Sequence, residues 1–129
     1  ALGAITGSPY SPDLDNPQNK KFVADFQKKY NRVPSLYAAQ SYDAAMLINS
    51  ALVKTGGKTD NTEALRTALK AADFKSVAGP FKFNTNQFPI RNFYRVDAAK
   101  DASGQVALVS KGIALKDHAD AYYKECTIK

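Results

Sequence analysis

The sequence predicts an α/β fold of which this chain supplies only part. Three observations point there. Apolar residues recur at helical spacing in three successive segments. A short apolar opening run and a late pair of β-type runs mark strands. One opening strand and a late hairpin are too few to close a sheet around three helices, so the other strands are expected elsewhere.

The opening Ala1-Leu2-Gly3-Ala4-Ile5-Thr6-Gly7 reads as a strand already inside a fold. With no initiator methionine or signal-peptide pattern, the chain is expected to be part of something longer. Turn formers Ser11-Pro12-Asp13-Leu14-Asp15 follow. Asn16 then stands as a helix cap, with Pro17 at the first helical position, where its missing N–H costs nothing. Phe22, Val23, Phe26 and Tyr30 predict an amphipathic helix ending near Asn31. Pro34 pushes Val33 toward an extended conformation.

The longest helix is predicted from about residue 36 to 55. Its apolar residues run nearly all round, so it should be buried on more than one side or pack closely through its alanines. Gly56-Gly57 stops it. Asp60 or Asn61, ahead of Glu63, caps a third helix striped by Leu65, Ala68, Leu69 and Ala72. Phe81 and Phe83 then predict a short strand after the Gly79-Pro80 break. Residues 92–97 and 105–111 form a hairpin about Asp101-Ala102-Ser103-Gly104. A last amphipathic segment is expected over residues 117–126.

The 129 residues are one domain's worth of chain, and 44% hydrophobic with 23% charged residues excludes disorder and collagen-like sequence. No apolar run approaches the roughly 20 residues that span a bilayer. The net charge of +6 comes from scattered lysines, whose longest cluster is two residues. Without a nucleic-acid-binding motif this reads as a solvated surface, and no nucleic-acid partner is expected.

The catalytic motifs GxSxG, HExxH, P-loop and GxGxxG are absent from the sequence. His118, the single histidine, reads as a surface residue near a helix start capped by Asp117, and no metal site is expected. Cys126 has no partner in this chain; it is read either as a buried thiol or as half of a disulfide to sequence outside it. Asp13 and Asp15 are explained by turn formation, although an acid–base pair with Tyr10 and His118 is the enzyme alternative. Tyr10 follows the opening strand and Tyr37 starts the long helix. Ligands bind at such places in open α/β sheets, and tyrosine offers a flat apolar face with a hydroxyl; both tyrosines also fit a plain core-covering role.

Four segments, Gly3-Ala4-Ile5-Thr6-Gly7, Asp15-Asn16-Pro17-Gln18-Asn19-Lys20, Phe22-Val23-Ala24-Asp25-Phe26 and Pro34-Ser35-Leu36-Tyr37-Ala38-Ala39-Gln40-Ser41-Tyr42-Asp43-Ala44, carry a resemblance. Together they resemble type I periplasmic solute-binding proteins, in the subgroup of leucine/isoleucine/valine-binding-protein-like receptors of ABC importers. Gly79-Pro80-Phe81-Lys82-Phe83-Asn84 looks like a strand motif of that family, and the hairpin with Lys116-Asp117-His118-Ala119 fits its C-terminus. The resemblance covers essentially the whole chain and corresponds to the C-terminal portion of a member.

The resemblance implies pieces of two three-layer α/β lobes joined by hinge crossovers, with the ligand in the cleft between them. Residues 1–35 would belong to the second lobe, 36–92 to the first and 93–129 to the second again. It implies a non-catalytic, cofactor-free protein, periplasmic or lipid-anchored outside the cytoplasm. Its partners would be a small carboxylate solute, an inner-membrane permease and the N-terminal portion of the same protein; a sensory domain of the same fold is the alternative. Amino-acid-binding members carry an acid for the ligand ammonium where this chain has Leu2. A buried ammonium facing Leu2 would lack its counter-charge, so of the two carboxylates the resemblance implies, an aromatic acid or a branched-chain-amino-acid-like solute, the aromatic acid is the favoured expectation. Tyr10 and Tyr37 would then stack on or cap the ring, and Gln40, one turn on, would reach a polar group.

Overall fold

The computed structural model describes residues 2–127. The order is β1 (Ile5–Ser8), α1 (Pro17–Tyr30), α2 (Leu36–Lys54), α3 (Thr62–Lys70), β2 (Phe81–Phe83), β3 (Pro89–Lys100) and β4 (Val106–His118), then one 3-10 turn at Tyr123–Glu125.

The helices start and stop where their caps lie. Asn16 Oδ1 accepts the Asn19 N–H at 2.8 Å, with Pro17 at the first helical position, and α1 ends on Asn31 in the left-handed conformation. Ser35 caps α2 by accepting the Ala38 N–H at 3.3 Å. Asn61 caps α3 by accepting the Ala64 N–H at 3.0 Å.

The sheet is antiparallel and built around β3. On one side β2 pairs with its start, Phe81 opposite Arg91 and Phe83 opposite Pro89. On the same path β1 pairs with its middle, Ile5 opposite Asp97 and Ser8 opposite Tyr94. β4 covers the other side, from Arg91 opposite His118 to Lys100 opposite Val106, with irregular register between Arg91 and Val96. In the connecting turn Asp101 Oδ1 accepts the N–H groups of Ser103 and Gln105 at 2.8 and 3.1 Å.

Two-residue alternation turns Asn92, Tyr94 and Val96 inward. Tyr94 and Val96 meet Tyr10, Leu14, Phe22, Ala39 and Val77 in the core. At the centre of this packing lies the segment Ser76-Val77-Ala78. The Val77 N–H donates to Asp43 Oδ1 on α2 at 3.0 Å, and Asn16 Nδ2 donates to the Val77 carbonyl at 3.0 Å. The Tyr94 hydroxyl donates to the Ala78 carbonyl at 2.8 Å. Gly79 makes room for that hydroxyl: a Cβ there would stand 2.9 Å from it, and φ is +100°.

Several expectations are refined. The hairpin strands are longer than residues 92–97 and 105–111, because the start of β3 takes β4 as partner as far as Arg91 and His118. The expected helix over residues 117–126 is therefore the end of β4 plus a single 3-10 turn. Asp117 does not cap a helix; it sits at φ +47° and its N–H donates to Asn92 Oδ1 at 2.9 Å. Of the two expectations for α2 the packing through alanines holds, since Ala39 and Ala51 are its buried residues while Tyr37, Ile48 and Val53 are exposed.

Asn19 is fully buried and fully used. It accepts from the Tyr10 hydroxyl at 2.9 Å and donates to the carbonyls of Pro12 and Leu14 at 2.9 and 3.0 Å. Asn19→Ala leaves these groups without partners, which costs about 1–3 kcal/mol. Urea unfolding of the two proteins checks this, and an unchanged midpoint would refute it.

Candidate functional site

The start of α2 is held rigidly, which fixes what it presents. Pro34 is buried, Ser35 caps the helix, and Ala39 is buried against the core. Three residues apart on this anchored turn, Tyr37 and Gln40 share a face and are both exposed. Tyr37 is 77% exposed. A large aromatic side chain held out from a capped helix start is a ready contact for a flat apolar ligand.

The other two predicted site residues lie elsewhere in the fold. Leu2 is 58% exposed just before β1, where the Gly3 N–H donates to the Ala98 carbonyl at 2.9 Å. Tyr10 is 3% exposed, its ring in the core and its hydroxyl bonded to Asn19. Burial, followed by the charges of Asp43 and Asp13, raises the Tyr10 pKa, so the phenol stays protonated and donating. Its geometry is that of an internal brace.

Each residue of the enzyme alternative has a partner of another kind, Tyr10 in Asn19 as described above. Asp13 accepts from the Ser11 hydroxyl at 2.5 Å and from the Ser110 N–H at 2.8 Å, tying the loop after β1 to β4. Asp15 is exposed and paired with Lys20 at 2.5 Å, which lowers its pKa. His118 stands edge-on to Phe93 at the end of β4. Among the described residues no three metal-ligating side chains converge. Cys126 is exposed, which corrects the buried-thiol reading.

Sequence reasoning overlooked Asp43. The signal was present, since it is the one acidic residue in the long apolar helix. It accepts from the Ser76 hydroxyl and the Val77 N–H at the edge of a cavity of about 170 Å³ lined by Gln40, Ala44, Leu47, Phe74, Phe81 and Arg91. Burial pushes the Asp43 carboxyl above the ordinary aspartate value, against the pull of Ser76, Val77 and the Arg91 charge.

A carboxyl raised in the folded state holds its proton more tightly there than when unfolded. Its contribution to stability is therefore fullest below the unfolded pKa and is lost as pH rises through the raised folded value. Asp43→Asn removes this dependence. The stability of the wild type minus that of Asp43→Asn should fall as pH rises from the ordinary value of 3.8. Urea unfolding of both proteins across that range measures it; a difference that rises with pH would overturn the assignment.

The sequence pattern of the periplasmic binding protein family matches residues 1–105. The Leu/Ile/Val-binding protein homolog 6 of Brucella abortus (strain 2308) is 31% identical over 107 residues, covering 81% of this chain and 27% of that protein. An ABC transporter solute-binding protein from R. palustris, solved in complex with benzoate, superposes with a TM-score of 0.83 at 32% identity, over 93% of this chain and 32% of its own. The solute-binding protein of an ABC transporter from Rhodopseudomonas palustris BisB5, in complex with 3,4-dihydroxy benzoic acid, gives 0.83 at 30% identity, over 94% of this chain and 33% of its own. The chain thus spans about a third or less of the length of these relatives.

Proposed function

This chain belongs to the periplasmic binding protein family, and on that premise we propose that it supplies part of a two-lobed receptor of an ABC importer. The receptor captures a small aromatic carboxylate outside the cytoplasm and delivers it to a membrane permease. No chemistry on the solute is required. Closure of two lobes removes the ligand from water and makes a surface that a transporter can distinguish from the open form. The ligand drives closure only by binding the closed state better, which contacts to both lobes provide.

The observation that carries this reading is Tyr37, an aromatic ring exposed on a rigid helix start. Leu2 supports it, since an apolar side chain offers no counter-charge to an ammonium. The two solved relatives named above bind benzoate and 3,4-dihydroxy benzoic acid. In this reading Tyr37 and Leu2 pack on the ring, Gln40 reaches a polar substituent, and Tyr10 braces the loop behind them. The expected division, residues 36–92 in one lobe and 1–35 with 93–129 in the other, cuts through the core that Phe22, Ala39, Val77 and Tyr94 share, so the chain as far as Val96 is taken here as one body of the receptor.

Two substitutions in the complete receptor test the proposal by calorimetry with benzoate. Tyr37→Ala should weaken binding by about 1–3 kcal/mol, and unchanged affinity removes the tyrosine from the pocket. Leu2→Glu should also weaken benzoate, because it brings a carboxylate toward a carboxylate. If wild-type receptor binds leucine and not benzoate, the aromatic-acid reading is wrong.

A further inference from the structure

Beside the start of α2 lies a cation without a partner. Arg91, near the start of β3, is half-buried, and its Nε is buried with no hydrogen-bond acceptor. Among the described residues no carboxylate lies within ion-pairing reach of its guanidinium. Asp43 acts on it only from beyond ion-pairing distance, its two oxygens accepting from the Ser76 and Val77 segment. The face of Phe93 lies 5.8 Å from the guanidinium carbon.

The surroundings select what an occupant must be. The cavity of about 170 Å³ has apolar walls at Leu47, Phe74 and Phe81, the last two with ring centroids 5.3 Å apart, and the Gln40 amide is its exposed polar residue. Leaving a buried charged donor unsatisfied is costly. A guanidinium fork matches a carboxylate in two parallel hydrogen bonds, and apolar walls strengthen that pairing by excluding water.

We propose that the cavity between α2 and β2 is a carboxylate-binding site, with Arg91 as the anchoring cation and Gln40 at its mouth. This goes beyond the receptor reading above, shares only Gln40 with it, and stands or falls separately from Tyr37 and Leu2. The carboxylate comes either from a free acid or from an Asp or Glu side chain in the rest of the receptor.

The Arg91 Nε–H resonance in nitrogen-15 NMR distinguishes these. In the 129-residue chain, acetate should shift it saturably, sodium chloride at the same ionic strength should not, and Arg91→Gln should abolish every saturable response that acetate produces at Gln40. In the complete receptor a free-acid site again responds to acetate. A side-chain partner instead gives a resonance already displaced without acetate, which moves back on acidification as that carboxyl is protonated. Both results support the site. A wild-type Arg91 resonance that ignores acetate in both proteins, and sits in the complete receptor where that of exposed Arg32 does, overturns it without recourse to any variant. A displacement that survives acidification also overturns it, since a carbonyl acceptor would then be the partner.

Discussion

The Val77 peptide is the point on which this fold depends. Its N–H is taken by Asp43 from α2 and its carbonyl by Asn16 from the cap of α1. The Val77 side chain is fully buried, and the next carbonyl receives the Tyr94 hydroxyl from β3. A buried peptide with either group unpaired would be costly. Two helices and the central strand are therefore fixed relative to one another by polar groups that have nowhere else to go. Hydrophobic contact among Phe22, Ala39, Tyr94 and Val96 supplies the bulk of the burial, and the hydrogen bonds select one arrangement among the many that such contact permits.

β3 imposes a second constraint. Each of the other three strands pairs with it alone. It changes partner from β2 to β1 within a few residues, and its register with β4 is irregular over the same stretch. Several of the exposed apolar residues are gathered on two elements. Tyr37, Ile48 and Val53 lie on α2, and Val106, Leu108, Ile113 and Leu115 lie on β4. Relatives roughly three times as long have further elements with which to cover such surfaces.

The candidate site follows from this rigidity. A ligand-contact side chain is useful when its backbone does not have to be ordered on binding. The capped start of α2 meets that condition for Tyr37 and Gln40, with Ala39 packed behind them. Asp43 and Arg91 belong to the same region and have separate tasks. One closes the Val77 segment, and the other is a charge still seeking its counterpart.

Local chemistry was legible in the sequence wherever one turn of chain contains both partners. The Asn16 and Asn61 caps, the Phe81–Phe83 strand and the Asp101–Gly104 turn each depend on residues within four positions, and the Tyr37 and Gln40 face follows from helical spacing alone; the Ser35 cap is equally local, but its residue reads as connector. The end of β4 was not legible, because residues 117–118 look helical until Arg91 and Asn92 claim them across the sheet. The burial of Tyr10 by Asn19, the Asp43 contact to Ser76 and Val77, and the isolation of Arg91 were equally hidden, since each is set by elements up to tens of residues apart. Sequence by itself determined the three helices, two of their caps and the presence of the strands before residue 117. Tertiary structure alone decided which polar groups are satisfied, because satisfaction depends on what folding brings close and on how much water it leaves behind.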